Sequence, residues 1–362
     1  MKQASFRSAD NFDKKSVFDN HKLRKLAMYY VGLDVHYRTS TYCILNNDGR
    51  EVKCETIRGH WTKLLERLAV IKGKWTVCFE ATCGYGYLYR ELSRMASRVI
   101  VAHPGQLRLI FRAKRKNDRV DSRKLAKLLY LDEVPSVYVP GEDVQSWREL
   151  IEHRRRVVDR QTVCKNAIRS LLRGHGFISP KGLWTKKGLA WLRQLTMPTS
   201  SAGLKRDLLL EELSEAKRGV RIVTRALDKI GRRHPGVVVL LTIPGVGMRT
   251  AETIVAYIDD PKRFGCSSKV ASYFGLIPCQ DASAGVNRMG HITKQGPGTA
   301  RKYLVEAAWQ GVYRSPRIRA YFERILRGKK ERRKIALVAT AHYLLRCMHA
   351  MLIRCEPWRE VA

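Results

Sequence analysis

No two of the nine cysteines in this 362-residue chain form a CxxC pair, and none shows the Cys/His spacing of a zinc site. They read as reduced, mostly buried thiols. No apolar stretch approaches the length of a membrane span, and the N-terminus lacks the hydrophobic core of a signal peptide, so the expected setting is the cytosol with no membrane partner. Acidic residues are scarce as well. The 33 Asp+Glu stand against 69 Lys+Arg, a formal charge of +36 that exceeds what solubility needs and points to a polyanion, best a nucleic acid. A hydrophobic fraction of 44% is enough for two packed domains and a connector, which excludes a disordered or fibrous chain.

What is present falls into four stretches. Residues 1–27 form a polar leader carrying Lys14, Lys15, Lys22, Arg24 and Lys25. Residues 28–139 alternate strand-like and helix-like runs. Strands are expected at 29–34, 41–45, 51–56, 75–80 and 98–102, with a turn at Asn46-Asn-Asp-Gly49, helices over about 60–71 and 86–95, and a last basic helix after the final strand. This is an α/β unit with a mixed sheet. Pro135 and Pro140-Gly141 mark a boundary. Residues 140–234 hold two long helices. In the first, Leu150, Val157, Cys164 and Leu171 are spaced by seven. In the second, Leu209, Leu213, Ala216, Val220, Val223, Leu227 and Ile230 follow steps of four and three, the seam of a coiled coil. They form either an antiparallel hairpin or dimer contact, or two amphipathic helices packed on their own domain. Residues 235–362 read as mainly helical, with helices at about 249–258, 267–274, 297–312, 316–326 and 332–354.

Two strands end in acids, Asp34 and Glu80, and Asp118 and Asp121 open a helix three residues apart, on one face. Four carboxylates so placed suit two divalent metals about 4 Å apart that clamp the attacking and leaving oxygens of a phosphodiester. Hard oxygen ligands favour Mg²⁺ or Mn²⁺. Taken singly, each acid also reads as a strand-end, rim or helix-capping residue. Arg108, Arg112, Lys114, Arg115, Lys116, Arg119, Arg123, Lys124 and Lys127 crowd around the aspartate pair and would repel one another unless phosphates neutralise them. His36, two residues beyond Asp34, reads either as a contact to a metal-bound water or as a surface histidine.

Residues 240–258 resemble a helix-hairpin-helix module. Gly245 and Gly247 allow a tight turn whose amides, with the following helix N-terminus, can hold a backbone phosphate without reading sequence. A structural Pro-Gly turn between helices is the other reading. Further on, Ser283 stands among small residues, where a bulky phosphodiester could reach its hydroxyl, with Arg288, His291 and Lys294 to stabilise developing charge. The same Ala-Ser-Ala-Gly run also reads as a flexible loop.

These residues, in this order, resemble the bridge-RNA-guided insertion-sequence transposases, which join a RuvC-like (RNase H-like) DEDD domain to a C-terminal domain bearing a nucleophilic serine. The marks are Gly32-Leu-Asp34-Val-His36, Phe79-Glu80-Ala-Thr-Cys-Gly84, Lys116-Asn-Asp118-Arg-Val-Asp121-Ser-Arg123-Lys-Leu-Ala126, Ile243-Pro-Gly-Val-Gly247, Gly275-Leu-Ile-Pro278 and Gly290-His-Ile-Thr-Lys294-Gln-Gly296. They cover nearly everything beyond the leader. The resemblance implies that Asp34, Glu80, Asp118 and Asp121 are the metal-binding tetrad and that Ser283 forms a transient covalent bond to a DNA phosphate. It also implies dimers assembling as tetramers, with the acids of one subunit meeting the serine of another. A structured non-coding RNA would choose donor and target DNA by base pairing, inside a bacterial or archaeal cell and close to the nucleoid. Around Ser283 the chain departs from the family pattern, with Ala282 and Ala284 replacing one serine and one glycine.

Two other functions compete with this one. One is a RuvC-like nuclease that hydrolyses junction DNA with metal and water, leaving Ser283 a bystander. The other is a non-enzymatic, basic architectural protein. All three require phosphate contacts, so DNA affinity measured by fluorescence anisotropy is expected to fall on the order of a thousandfold between about 50 and 200 mM salt. Affinity flat in salt would contradict the electrostatic reading.

Overall fold

The computed structural model describes residues 29–82, 84–110, 117–283 and 286–360. Strands β1 (Tyr29–Val35), β2 (Thr39–Leu45) and β3 (Glu51–Arg58) form an antiparallel meander. On the other side of β1, β4 (Trp75–Glu80) and β5 (Arg98–Ala102) run parallel to it, giving the order β3-β2-β1-β4-β5. The turn between β2 and β3 forms where its residues predict it. The Asn46 side-chain oxygen accepts from the amides of Asp48 and Arg50, and Gly49 takes the positive φ of 73° that the turn requires.

Strand periodicity sends alternate residues to opposite faces. Val31, Leu33, Val77, Phe79 and Val101 pack with Leu64 and Leu68 of α1 (Trp61–Ala69) and Leu88 and Leu92 of α2 (Tyr85–Ser93). Tyr30, Cys43, Cys78 and Ile100 pack on the other face with Leu107 of α3 (Pro104–Ile110) and Leu125, Ala126, Leu128 and Leu129 of α4 (Asp118–Leu131). A mixed sheet covered on both faces is consistent with an RNase H-like domain. The single basic helix expected after β5 is two helices, α3 and α4; residues 111–116 lie outside the described ones.

Helix α4 approaches β1 at one point. A Cβ on Gly32 would lie 2.2 Å from the Ser122 carbonyl oxygen and 2.3 Å from the Ala126 amide nitrogen, both backbone atoms that cannot swing aside. Gly32→Ala therefore has to push the helix off the sheet. The expected cost is at least about 2–3 kcal/mol, read as a lower midpoint in urea unfolding.

The chain divides into two compact units between Val139 and Pro140. The second begins with the long helices α5 (Glu142–Gly174) and α7 (Ser200–Gly231), with α6 (Lys186–Gln194) between them. They pack antiparallel. Trp147 and Ile151 share a core with Val223 and Leu227, while Cys164, Ile168 and Leu172 share another with Leu210 and Leu213. The inward face follows the expected seam in part: Cys164, Leu213, Ala216, Val223 and Leu227 are buried as expected, whereas Ile151, Leu172 and Leu210 are buried in place of Leu150, Leu171 and Leu209, and Ile230 is exposed. The 3.6-residue period carries a long straight helix off any strict seven-residue stripe.

Helices α8 (Pro235–Leu241), α9 (Met248–Ile258), α10 (Ser267–Tyr273), α11 (Gly298–Arg314), α12 (Pro316–Leu326) and α13 (Arg333–Arg354) complete the unit, α9 to α13 close to the predicted positions and α8 in addition to them. Between α10 and α11 stands an unanticipated antiparallel hairpin of β6 (Pro278–Ser283) and β7 (Val286–Ile292). The expectation that no stretch approaches a membrane span also fails. Residues Lys330–Arg354 form a helix long and apolar enough, by length and composition only, to cross a membrane. Their apolarity has a packing cause: Ala336, Ala341, Leu344, Leu345 and Met348 lie at zero exposure in the core of this unit.

Glu252 on α9 is 1% exposed. Burial pushes its carboxyl up to about 7, against the pull of the Arg249 guanidinium 3.1 Å away. The folded pKa lies above the unfolded one, so this group's stabilisation is full below the unfolded value near 4.5 and is lost as pH rises through about 7. Glu252→Gln is expected to flatten that slope. Thermal midpoints at about pH 5 and about pH 8 should differ less in the variant than in the parent chain; an unaltered difference would refute the assignment.

Candidate active site

Parallel pairing puts Leu33 beside Phe79, so the next residues along, Asp34 and Glu80, fall side by side at the carboxyl ends of β1 and β4. Leu33 and Phe79 face α1 and α2, which leaves both acids on the α4 side. There α4 begins. Asn117 caps it, its Oδ1 accepting from the Arg119 amide at 3.1 Å, and the first turn carries Asp118 and Asp121. The close approach at Gly32 thus brings this turn to the end of β1.

The ligand atoms of Asp34, His36 and Asp118 all lie within 4.8 Å of one another. His36 Nε2 is 3.5 Å from Asp34 Oδ1, with the imidazole half-exposed and the carboxylate 17% exposed. Asp121 faces Lys124, whose Nζ is 3.5 Å away, and Glu80 adjoins Asp34 by register while standing outside the three-residue group. Two hard carboxylate oxygens and an imidazole in this span fit a divalent cation.

A second group within 4.8 Å, Cys43, Glu51 and Cys54, fits one poorly. Burial pushes the Cys43 thiol up to about 12, and Glu51 accepts from Arg123 Nε at 2.5 Å. Like Cys43, Cys78 and Cys164 are buried; Cys266, Cys279 and Cys355 are exposed, against the expectation of mostly buried thiols.

Of the cations expected to meet nucleic acid, Arg119 is exposed on α4 and Arg123 is held by Glu51. Arg115 and Lys116 lie outside the described residues. Gly245 has a φ of 93°, and a Cβ there would meet the Gly311 amide of α11 at 2.5 Å, so its turn is pressed against that helix. Gly247 caps α9 with open space around its Cα and no side-chain bond to the helix amides. Ser283 is the last residue of β6, paired with Val286. Arg288 is exposed on β7, and Lys294 follows the hairpin with its amide donating to the Gly275 carbonyl at 3.2 Å.

Two residues at the site's rim escaped the sequence reading. Trp61 donates its indole N–H to the His36 carbonyl at 2.9 Å, fixing the turn after β1. Gly84, at φ 83°, leaves room for that indole, which a Cβ would strike at 2.3 Å. Gly84 closes the Phe79-Glu80 motif, and that glycine was the available signal.

Strand-end acids facing the first turn of a helix, on a mixed sheet, offer a place for a divalent metal. Comparison with known proteins agrees. A transposase family profile of the DEDD type matches residues 31–177, and the profile "Transposase IS116/IS110/IS902 family" matches residues 238–323. The chain belongs to the IS116/IS110/IS902 family of transposases, enzymes that cut and rejoin DNA. Among curated relatives, it is 29% identical to the transposase y4qE of Sinorhizobium fredii over 66% of this chain and 58% of that one. It is 27% identical to the transposase y4pF/y4sB of the same organism, over 78% and 74%. A family 20 transposase of Pseudomonas aeruginosa is 25% identical over 77% and 84%. The chain thus spans less than two thirds of y4qE.

Proposed function

We propose that this chain transposes DNA under RNA guidance, using Asp34, Glu80, Asp118 and Asp121 to hold Mg²⁺ or Mn²⁺ and Ser283 as nucleophile. The observation that carries the reading is the convergence of Asp34, His36 and Asp118 within 4.8 Å at the carboxyl end of β1. When bound, the metal supplies electrostatic stabilisation of charge on the phosphodiester. The residues do the rest. Asp34 and Asp118 supply ligand oxygens, and Glu80 and Asp121 complete the tetrad when the metal binds. The Ser283 hydroxyl oxygen bonds to phosphorus and displaces a strand-end hydroxyl. Attack by a second strand's hydroxyl then breaks the Ser–O–P bond and restores the serine.

The remaining parts follow the same reading. The α8–α9 turn is a helix-hairpin-helix whose Gly247 amide end takes a backbone phosphate, and Arg115, Lys116, Arg119, Arg288 and Lys294 neutralise others. The α5–α7 pair is a coiled-coil connector over 140–234, between a RuvC-like domain over 28–139 and a serine-bearing domain over 235–362. Through it dimers form and assemble as tetramers. Donor and target DNA are the substrates, and a structured guide RNA chooses them; the formal charge of +36 supports polyanionic partners.

Purified protein incubated with the element's RNA, DNA and Mg²⁺ is expected to yield a DNA-linked peptide containing Ser283, absent from Ser283→Ala. Asp34→Asn should slow cleavage at least about a hundredfold, as loss of several kcal/mol of charge stabilisation requires. Cleavage without an adduct would favour metal-dependent hydrolysis. Full activity in Asp34→Asn would sink the enzymatic reading.

A further inference from the structure

A chain of aromatic rings runs along the edge of the sheet where β1 and β4 end, on the α1–α2 side of the strands. Tyr37 stands edge-on to His60 at 6.2 Å between ring centroids, His60 is 5.8 Å from Trp61, and Trp61 stacks on Tyr87 at 6.2 Å with 22° between planes. The elements that carry these rings also carry the site. Tyr37 follows His36 directly, Trp61 opens α1, and Tyr87 lies in the first turn of α2, shortly after Glu80.

The middle ring is fixed. Its indole N–H is bonded to the His36 carbonyl, and its six-membered ring sits where Gly84 leaves space. The outer rings project: Tyr37 is 71% exposed and Tyr87 37%. The two outer rings thus offer aromatic surface to solvent at the strand-end edge that carries the acids. Cations adjoin them. The Gly59 amide donates to the Arg38 carbonyl at 2.8 Å, and the stem of Lys63 lies over Gly59, which places exposed Arg38 and Lys63 at the same corner.

We propose that Tyr37, Trp61 and Tyr87 form a stacking platform for an unpaired nucleobase of the DNA strand that enters the acid site. The proposal rests on the reading that this site takes DNA. Every base has a π-face, so ring platforms hold single strands with little regard to sequence, while neighbouring cations follow the phosphates. Within a duplex both faces of a base are already stacked. The platform therefore selects a strand that is frayed or opened at the cut, and it holds that strand's backbone next to Asp34, His36 and Asp118.

The test uses the full chain and element-end oligonucleotides, single-stranded or duplex, carrying 2-aminopurine at successive positions. Stacking on the rings is expected to quench the probe at one or two positions of the single strand and not in the blunt duplex. Tyr37→Ala and Tyr87→Ala should each weaken single-strand binding about five- to a hundredfold and remove the quenching. Tyr37→Phe, which keeps the ring, should retain both. Unchanged affinity and quenching in both alanine variants would overturn the platform, as would loss in Tyr37→Phe equal to that in Tyr37→Ala. Asp34→Asn separates the two claims: it is expected to lose cleavage and keep the quenching, so a failed platform and a failed catalytic assignment leave different patterns.

Discussion

The close approach of α4 to β1 at Gly32 is the contact on which the acidic site depends. It sets two carboxylates from different elements, Asp34 and Asp118, within 4.8 Å. Like charges at that separation repel by about 3–4 kcal/mol at an effective dielectric near 20. Burial of Leu125, Leu128 and Leu129 under the sheet contributes roughly 1.5–3 kcal/mol each. Packing therefore wins, and the chain can hold its acids together without help from the acids themselves. A glycine on the strand is what lets the helix come close enough for both effects to operate at once.

The arginine excess has an internal use as well as an external one. Arg148 donates to the carbonyls of Ala256 and Tyr257, and Arg263 to those of Tyr257 and Ile258, so the last turn of α9 is closed by guanidinium groups. Arg319 does the same for Val312 and Tyr313 near the end of α11. Arg301 bridges the carbonyls of Phe274 and Gly296 across the base of the β6–β7 hairpin. Helix C-termini present unpaired carbonyls and partial negative charge, which these cations satisfy. A charge of +36 is thus not all available to phosphates; part of it holds helix ends and a hairpin in place.

The N-terminal sheet was legible because each strand is a short β-rich run and each acid falls where such a run ends, as at Asp34 and Glu80. The helices from α9 onward were legible from apolar spacing, since Ile254 and Ile258, or Leu344 and Met348, recur at helical steps. The β6–β7 hairpin was not, because its residues are mostly polar and small and carry no strong apolar alternation. The role of Gly32 was also hidden, for a glycine within a strand does not name the backbone that will press on it. Trp61 lies 25 residues beyond the His36 carbonyl it holds, a separation that no local pattern reports. Periodicity finds faces, and long-range contacts decide what the faces meet.

Helix α4 concentrates three demands in 14 residues. Its inner face must bury Leu125, Leu128 and Leu129, its first turn must present Asp118 and Asp121, and its outer face carries Arg119, Arg123 and Lys127. Successive residues are about 100° apart around the axis, so these demands are locked together. Inserting one residue between Asp121 and Leu125 would turn the acids by about 100° relative to the leucines, and the core would then hold the helix with its carboxylates facing away from Asp34. The Arg123–Glu51 ion pair adds a tether from the outer face to the start of β3, which resists the same rotation. A site built at the end of such a helix is positioned by the apolar stripe below it. That is why the packing of Ser122 and Ala126 on Gly32 belongs to the chemistry although neither is a ligand residue of the site.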